Sequence, residues 1–182
     1  PYTTLFRSGE IERSGAVVKG GSLVLKVYYN RASPSVEDYT GKYNGQEHTI
    51  TITAPGIDGD VIQYQIGDGQ WTDLNDNFTN LPKYKDCGTT VIKVRVVNNG
   101  NVGPAVEAEI SIIQRKITLT SAKDEKFYDG TPLTNDTIVV GGEDEFVEGE
   151  GIASYGVTGS QTEAGESDNV FDYTLKENTK SE

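Results

Sequence analysis

Thr40-Gly41-Lys42-Tyr43-Asn44-Gly45-Gln46-Glu47-His48-Thr49-Ile50-Thr51-Ile52 sets an aromatic residue before an Asx-Gly pair and runs straight into an alternating strand. The signal returns at Glu125-Lys126-Phe127-Tyr128-Asp129-Gly130-Thr131-Pro132-Leu133, which leads through Thr134 to Asp136 into Thr137-Ile138-Val139-Val140. An Asx-Gly pair tolerates positive φ where a chain turns sharply or bulges between strand segments, so the two copies read as the openings of repeated β units. Matching flanks, Asp38-Tyr39-Thr40-Gly41 before one and Asp124-Glu125-Lys126 before the other, support the same reading.

Composition points the same way. The chain has 182 residues, enough for one or two domains with a real core. Its hydrophobic fraction is low at 35%, but Tyr, Thr, Val and Ile are plentiful and there are 21 glycines, the vocabulary of short strands joined by turns. No window of helical length carries an i, i+3, i+4, i+7 apolar stripe, so the expected class is all-β with almost no helix.

The net charge of −12 argues against a nucleic-acid surface, which needs clustered Lys and Arg. It is unevenly spread, at +3 over residues 1–32, −4 over 33–116 and −11 over 117–182. That jump across Arg115-Lys116 marks a boundary between units, and the acidic surface reads as a solvated face. The one cysteine, Cys87, cannot form an internal disulfide. Low cysteine is compatible with export from bacteria whose surface domains rely on packed β cores. No apolar run reaches the length of a membrane span, and no amino-terminal stretch resembles a signal peptide. There is no Met, so the chain is expected to be an internal fragment, truncated at both ends, with its targeting and anchoring segments elsewhere.

In chain order, Pro1 to Ser8 fits poorly with the rest of the chain and is expected to be artefactual, while residues 1–32 as a whole read as the tail of a preceding unit, closing on a strand that starts at Leu23 and ends at Tyr29-Asn30-Arg31. Ala32-Ser33-Pro34-Ser35 is linker-like. The first complete unit, 33–116, is expected to hold strands at His48 to Ala54, Val61 to Ile66, Thr90 to Val97 and Ala105 to Ile113. A hairpin at Asp68-Gly69 should lead into Gln70-Trp71-Thr72. Ile92, Val94 and Val96 alternate with Val91, Lys93 and Arg95, and Val106, Ala108, Ile110 and Ile112 with Glu107, Glu109 and Ser111. This is the pattern of antiparallel sheets with one buried face, packed as a sandwich. The second unit, 117–182, is expected to carry strands at Ala153 to Thr158 and Val170 to Leu175 and to stop one strand short.

These patterns carry a resemblance. Leu25-Lys26-Val27-Tyr28-Tyr29-Asn30-Arg31 resembles the end of the β-grasp-like internalin B-repeats and mucin-binding-type modules of Gram-positive surface proteins. Tyr39-Thr40-Gly41-Lys42-Tyr43-Asn44-Gly45-Gln46-Glu47-His48, Ile62 to Asp73 and Thr89 to Asn98 resemble bacterial immunoglobulin-like surface repeats in which Tyr-Asp-Gly-x-x-His opens each unit. Ile117 to Ser121, Phe127 to Leu133 and Thr158 to Gly165 are similar to the repeats alternating with them in long surface proteins of gut Firmicutes. The resemblance implies tandem immunoglobulin-like β-sandwich modules in extracellular, wall-attached stalks or adhesins, although the cysteine pair and central tryptophan spacing of antibody-type domains are absent. Partners implied are host or wall glycans, surface proteins and neighbouring repeats of the same chain, and no catalytic residue is designated.

Candidate sites weigh lightly against their structural alternatives. His48 and Cys87, the only residues of their kinds, make a Cys-His dyad arithmetically available, but a strand-start histidine and a loop cysteine are the plainer reading. Asp58-Gly59-Asp60, Asp73 to Asp76 and Glu143-Asp144-Glu145 are oxygen-rich but read as turns and solvated loops rather than Ca²⁺ ligands. Trp71, Tyr64 and Tyr84 are the candidates for stacking on a sugar, against cross-strand packing. The expectation is therefore a non-enzymatic stalk, spacer or adhesin segment without catalytic, cofactor or metal residues. The alternatives are an accessory carbohydrate-binding module of a secreted polysaccharide-degrading enzyme and a hydrolase fragment.

Overall fold

A computed structural model describes residues 33–54 and 59–180. Residues 1–32, where the tail of a preceding unit is expected, and residues 55–58 lie outside the described residues. Twelve strands are present among the described residues, with no helix: β1 (Ser35–Glu37), β2 (Tyr39–Lys42), β3 (Thr51–Thr53), β4 (Val61–Ile66), β5 (Thr72–Asp73), β6 (Gly88–Asn98), β7 (Asn101–Val102), β8 (Val106–Ile113), β9 (Ile117–Ser121), β10 (Ile138–Gly142), β11 (Ile152–Val157) and β12 (Phe171–Leu175). The chain is all-β. A six-stranded sheet runs β2-β8-β6-β4-β5 with β7 paired to β6, and three two-stranded sheets pair β1 with β3, β9 with β10 and β11 with β12.

The described chain forms two compact units that are not consecutive stretches. One takes in 33–38, 50–54, 59–82 and 90–109; the other takes in 39–49, 83–89 and 110–180. In the first, antiparallel β4 and β6 bring Ile62 opposite Val96, Tyr64 opposite Val94 and Ile66 opposite Ile92. Strand side chains alternate between faces, so this register puts one apolar row inward. Ile62, Ile92, Val94 and Val96 are buried accordingly, with Ile50, Leu74, Leu81 and Ala108. Leu74 and Leu81 are anchored by a polar loop: Asn75 Oδ1 accepts from the Thr79 amide at 2.8 Å and the Asn80 amide side chain donates to the Asp73 carbonyl at 2.8 Å.

Two expectations differ from the structure. Ser33-Pro34-Ser35 is not a linker: Pro34 is buried and Ser35 begins β1, opposite Thr53. A proline at the entry of an edge strand loses no ladder bond, which is why turn chemistry in the sequence conceals a strand there. The sheets are also not wholly antiparallel, since β2 pairs with β8 in parallel, Tyr39 opposite Ile110 and Lys42 opposite Ile113. Alternation reports which face is buried and says nothing of a partner's direction, and a parallel partner must come from far along the chain.

Among the described residues of the second unit, Ile110 and Ile112 are the buried apolar side chains. Beyond them β9 to β12 leave much apolar surface in water: Val139, Val140, Tyr155 and Tyr173 are each about half exposed.

Candidate functional site

The Tyr-Asx-Gly landmark folds the same way twice. In the first copy Asn44 Oδ1 accepts from the Gln46 amide at 2.9 Å, and Gly45 takes φ 76°. In the second, Asp129 Oδ1 accepts from the Thr131 amide at 2.9 Å, and Gly130 takes φ 78°. Each is an Asx turn, in which a short side chain stands in for a backbone acceptor and the next residue adopts the left-handed conformation that glycine reaches without steric cost. Four residues after each Asx the chain makes an isolated antiparallel bridge, His48 with Tyr84 and Leu133 with Gln161.

Around the first turn the side chains interlock. The His48 ring stacks on Tyr39 with centroids 4.1 Å apart and planes 13° from parallel. His48 Nε2 lies 2.9 Å from Asn44 Oδ1 and 3.1 Å from the Tyr39 hydroxyl. Because that Asn44 oxygen already accepts from Gln46, Nε2 must carry the proton, so the network assigns the tautomer. Gly41 makes room for the ring: a Cβ there would lie 2.6 Å from the Tyr39 hydroxyl.

The same turn is seated on the acidic loop 143–150. The Tyr43 hydroxyl donates to Glu150 Oε1 at 2.6 Å, Lys42 Nζ meets Asp144 Oδ1 at 2.6 Å, and the Lys116 amide donates to Asp144 Oδ2 at 2.9 Å. Arg115 donates through Nε to the Tyr43 carbonyl at 2.6 Å and through Nη1 to the Glu145 carbonyl at 2.9 Å. The bond to Glu150, then burial, then the charge of Glu150 push the Tyr43 phenol up to about 12. Lys42, followed by the Lys116 amide, holds Asp144 below the ordinary carboxylate range.

Beside this seat is a cleft of about 660 Å³. Apolar Ile117, Leu119, Phe146, Val147, Phe171 and Leu175 line it, with Tyr43, Cys87, Arg115, Glu150, Tyr173 and the Asp86–Lys180 ion pair. Phe171 and Tyr173 stand with ring centroids 6.2 Å apart. The Lys180 bond lowers Asp86 and raises Lys180. The charged groups are thus spent on internal partners: Arg115 on two carbonyls, Glu150 on a phenol, Asp86 on an ammonium. Such an arrangement holds a turn and a loop together. Cys87 is exposed and in no disulfide, and it lines the cleft, whereas His48 is not among the lining residues and is engaged at Nε2 by Tyr39 and Asn44. Among the described residues no group of three or more His, Cys, Asp or Glu is placed to hold a metal ion. No helix among them is long and apolar enough to cross a membrane.

Tyr64 and Trp71, two of the three candidates for sugar stacking, are on opposite faces of one sheet. Tyr64 is on the inward row of β4, opposite Val94 and Thr72. Trp71 is on the other face of that sheet, where the Arg95 guanidinium covers its ring at 3.9 Å and donates to Gln63 Oε1 at 2.8 Å. Tyr84 belongs to the second unit and gives its backbone to the bridge with His48. The cleft was missed in sequence because its lining is drawn from positions more than a hundred residues apart, with no local spacing to mark them. The chain matches no family model, no curated protein and no solved structure.

Proposed function

We propose that this chain is a non-catalytic segment of an extracellular repeat protein. In this reading residues 33–116 and 117–182 are successive immunoglobulin-like β-sandwich units of a bacterial surface protein, acting as stalk, spacer or adhesive module. The observation that carries it is the doubled turn, with the same Asx hydrogen bond at 2.9 Å, the same glycine φ and the same bridge four residues on. A repeat unit copied along a chain reproduces its turn chemistry, and stacked units need contacts only with their neighbours to hold a distal domain away from a wall. The spent charges of the cleft and the acidic surface support the same reading. Attachment to a cell wall and adhesion to glycans or surface proteins belong to the proposal. Stretching the chain from its ends by force spectroscopy tests it. Two unfolding steps are expected, together releasing about 52 nm of chain; a single step releasing the whole length overturns the reading.

The cleft favours a second reading, a carbohydrate-binding accessory module, because Phe171 and Tyr173 offer apolar ring surface beside polar groups. Glycan-array binding that Tyr173→Ala abolishes would establish it in place of the spacer.

A further inference from the structure

The two Asx turns share a backbone and differ in what covers them. At the first, a Cβ on Gly45 would meet Val147 Cγ1 at 3.0 Å, and Tyr43 is held by Glu150. At the second, a Cβ on Gly130 would meet nothing within 4 Å, Phe127 is 98% exposed and Tyr128, the counterpart of Tyr43, is 65% exposed. Two adjacent aromatics in water on an ordered turn are unusual surface, and their most economical account is an absent partner. The turn is ordered without one, since Lys126 bonds Asp129 at 2.8 Å and Thr131 Oγ1 at 2.6 Å, and Thr131 Oγ1 donates to Asp129 at 2.7 Å.

We propose that the turn at Phe127 to Thr131 is a docking seat for the acidic loop of a following module of the same kind, as the turn at Tyr43 to Gln46 is for the loop 143–150. The proposal rests on the repeat reading above. The occupant's chemistry follows from the occupied copy: a carboxylate in the place of Glu150 to accept from the Tyr128 hydroxyl, and a small apolar side chain in the place of Val147 to lie over Gly130. Phe127 stands where Lys42 stands, so the ion pair with Asp144 is replaced by apolar contact, and this second seat depends less on salt than the first. A second copy of the present chain is a poor occupant, because its own loop 143–150 is already held by Tyr43, Lys42 and Arg115.

The test compares the 182-residue chain with the same chain extended at Glu182 by a second copy of residues 117–182, digesting both with chymotrypsin and mapping the cuts. Cleavage after Phe127 and Tyr128 is expected to slow at least about tenfold on extension, since proteolysis follows the open population. Glu150→Ala together with Val147→Ala in the appended copy should restore it. Unchanged cleavage overturns the proposal, and so does slowed cleavage that the double substitution leaves slow, because another occupant is then on the turn. An appended copy whose β11 and β12 amides exchange faster than the same amides of the first copy also overturns it, because the second turn then does not replace the first as a seat. The repeat reading is decided separately, by the unfolding steps of the unextended chain, so two steps with fast cleavage remove the seat alone.

Discussion

The Tyr43 hydroxyl and Glu150 Oε1 are 2.6 Å apart although 107 positions separate the two residues in sequence. The bond ties the first Asx turn to the loop before β11. Its acceptor is a carboxylate, so it belongs to the stronger class of hydrogen bonds.

Tyr43→Phe should lower stability by about 1.5 kcal/mol, the lower end for a hydrogen bond to a charged group. It should also change the alkaline limb. The phenol is raised from 10.0 to about 12, so the folded state favours the protonated form. The stability this adds is fully present below pH 10 and is lost as pH rises toward 12. Denaturant unfolding between those limits should fall more steeply for the natural chain than for Tyr43→Phe; parallel curves would refute the linkage.

The acid limb carries the opposite sign. Asp144, Asp129 and Asp86 are held below their ordinary value, first by the Lys42, Lys126 and Lys180 bonds respectively. Their contribution is present above about pH 4, the unfolded aspartate range, and is lost as pH falls through the lower folded values. Asp144→Asn should flatten the decline of stability below pH 4, read by the same denaturant titrations.

Gly130→Ala should cost about 1 kcal/mol, the penalty for forcing a Cβ into the left-handed region, because the site is otherwise open. Gly45→Ala meets the same strain and Val147 as well, so its loss should be visibly larger. Equal losses in thermal or chemical unfolding would mean that the contact with Val147 has no energetic weight.

Arg95→Ala should uncover Trp71 and remove a cation–π contact of about 0.5–1 kcal/mol. Red-shifted tryptophan emission and easier acrylamide quenching are the expected signals, and Trp71 is the only tryptophan, so the reading is unambiguous.

Hydrogen exchange should divide the chain by burial. Amides of β6, whose Ile92, Val94 and Val96 are at most 1% exposed, should exchange last. Those of β9 to β12, where apolar side chains stand half in water, should exchange first; uniform protection would contradict this.

Much was legible locally. The alternation of Ile92, Val94 and Val96 with Val91, Lys93 and Arg95 marked β6 and its buried face, because the two-residue period of a strand depends on no partner. The Asx-Gly pairs located both turns for a similar reason: the side-chain acceptor, its amide and the positive φ all lie within three residues. Ser35–Glu37 and Tyr39–Lys42 carry no strand signal of their own, being short and set among proline and glycine.

What the chain wrote into its own local order was therefore the all-β class, the inward rows and the doubled turn, since each is settled by interactions between near neighbours. Only tertiary structure decided that β2 runs parallel to β8, that Tyr64 and Trp71 face opposite sides of one sheet, and that the carboxylate for Tyr43 comes from Glu150. Those outcomes depend on which of many acidic side chains and chemically similar strands meet after long loops close, and closure depends on the burial of the whole set rather than on any stretch of it.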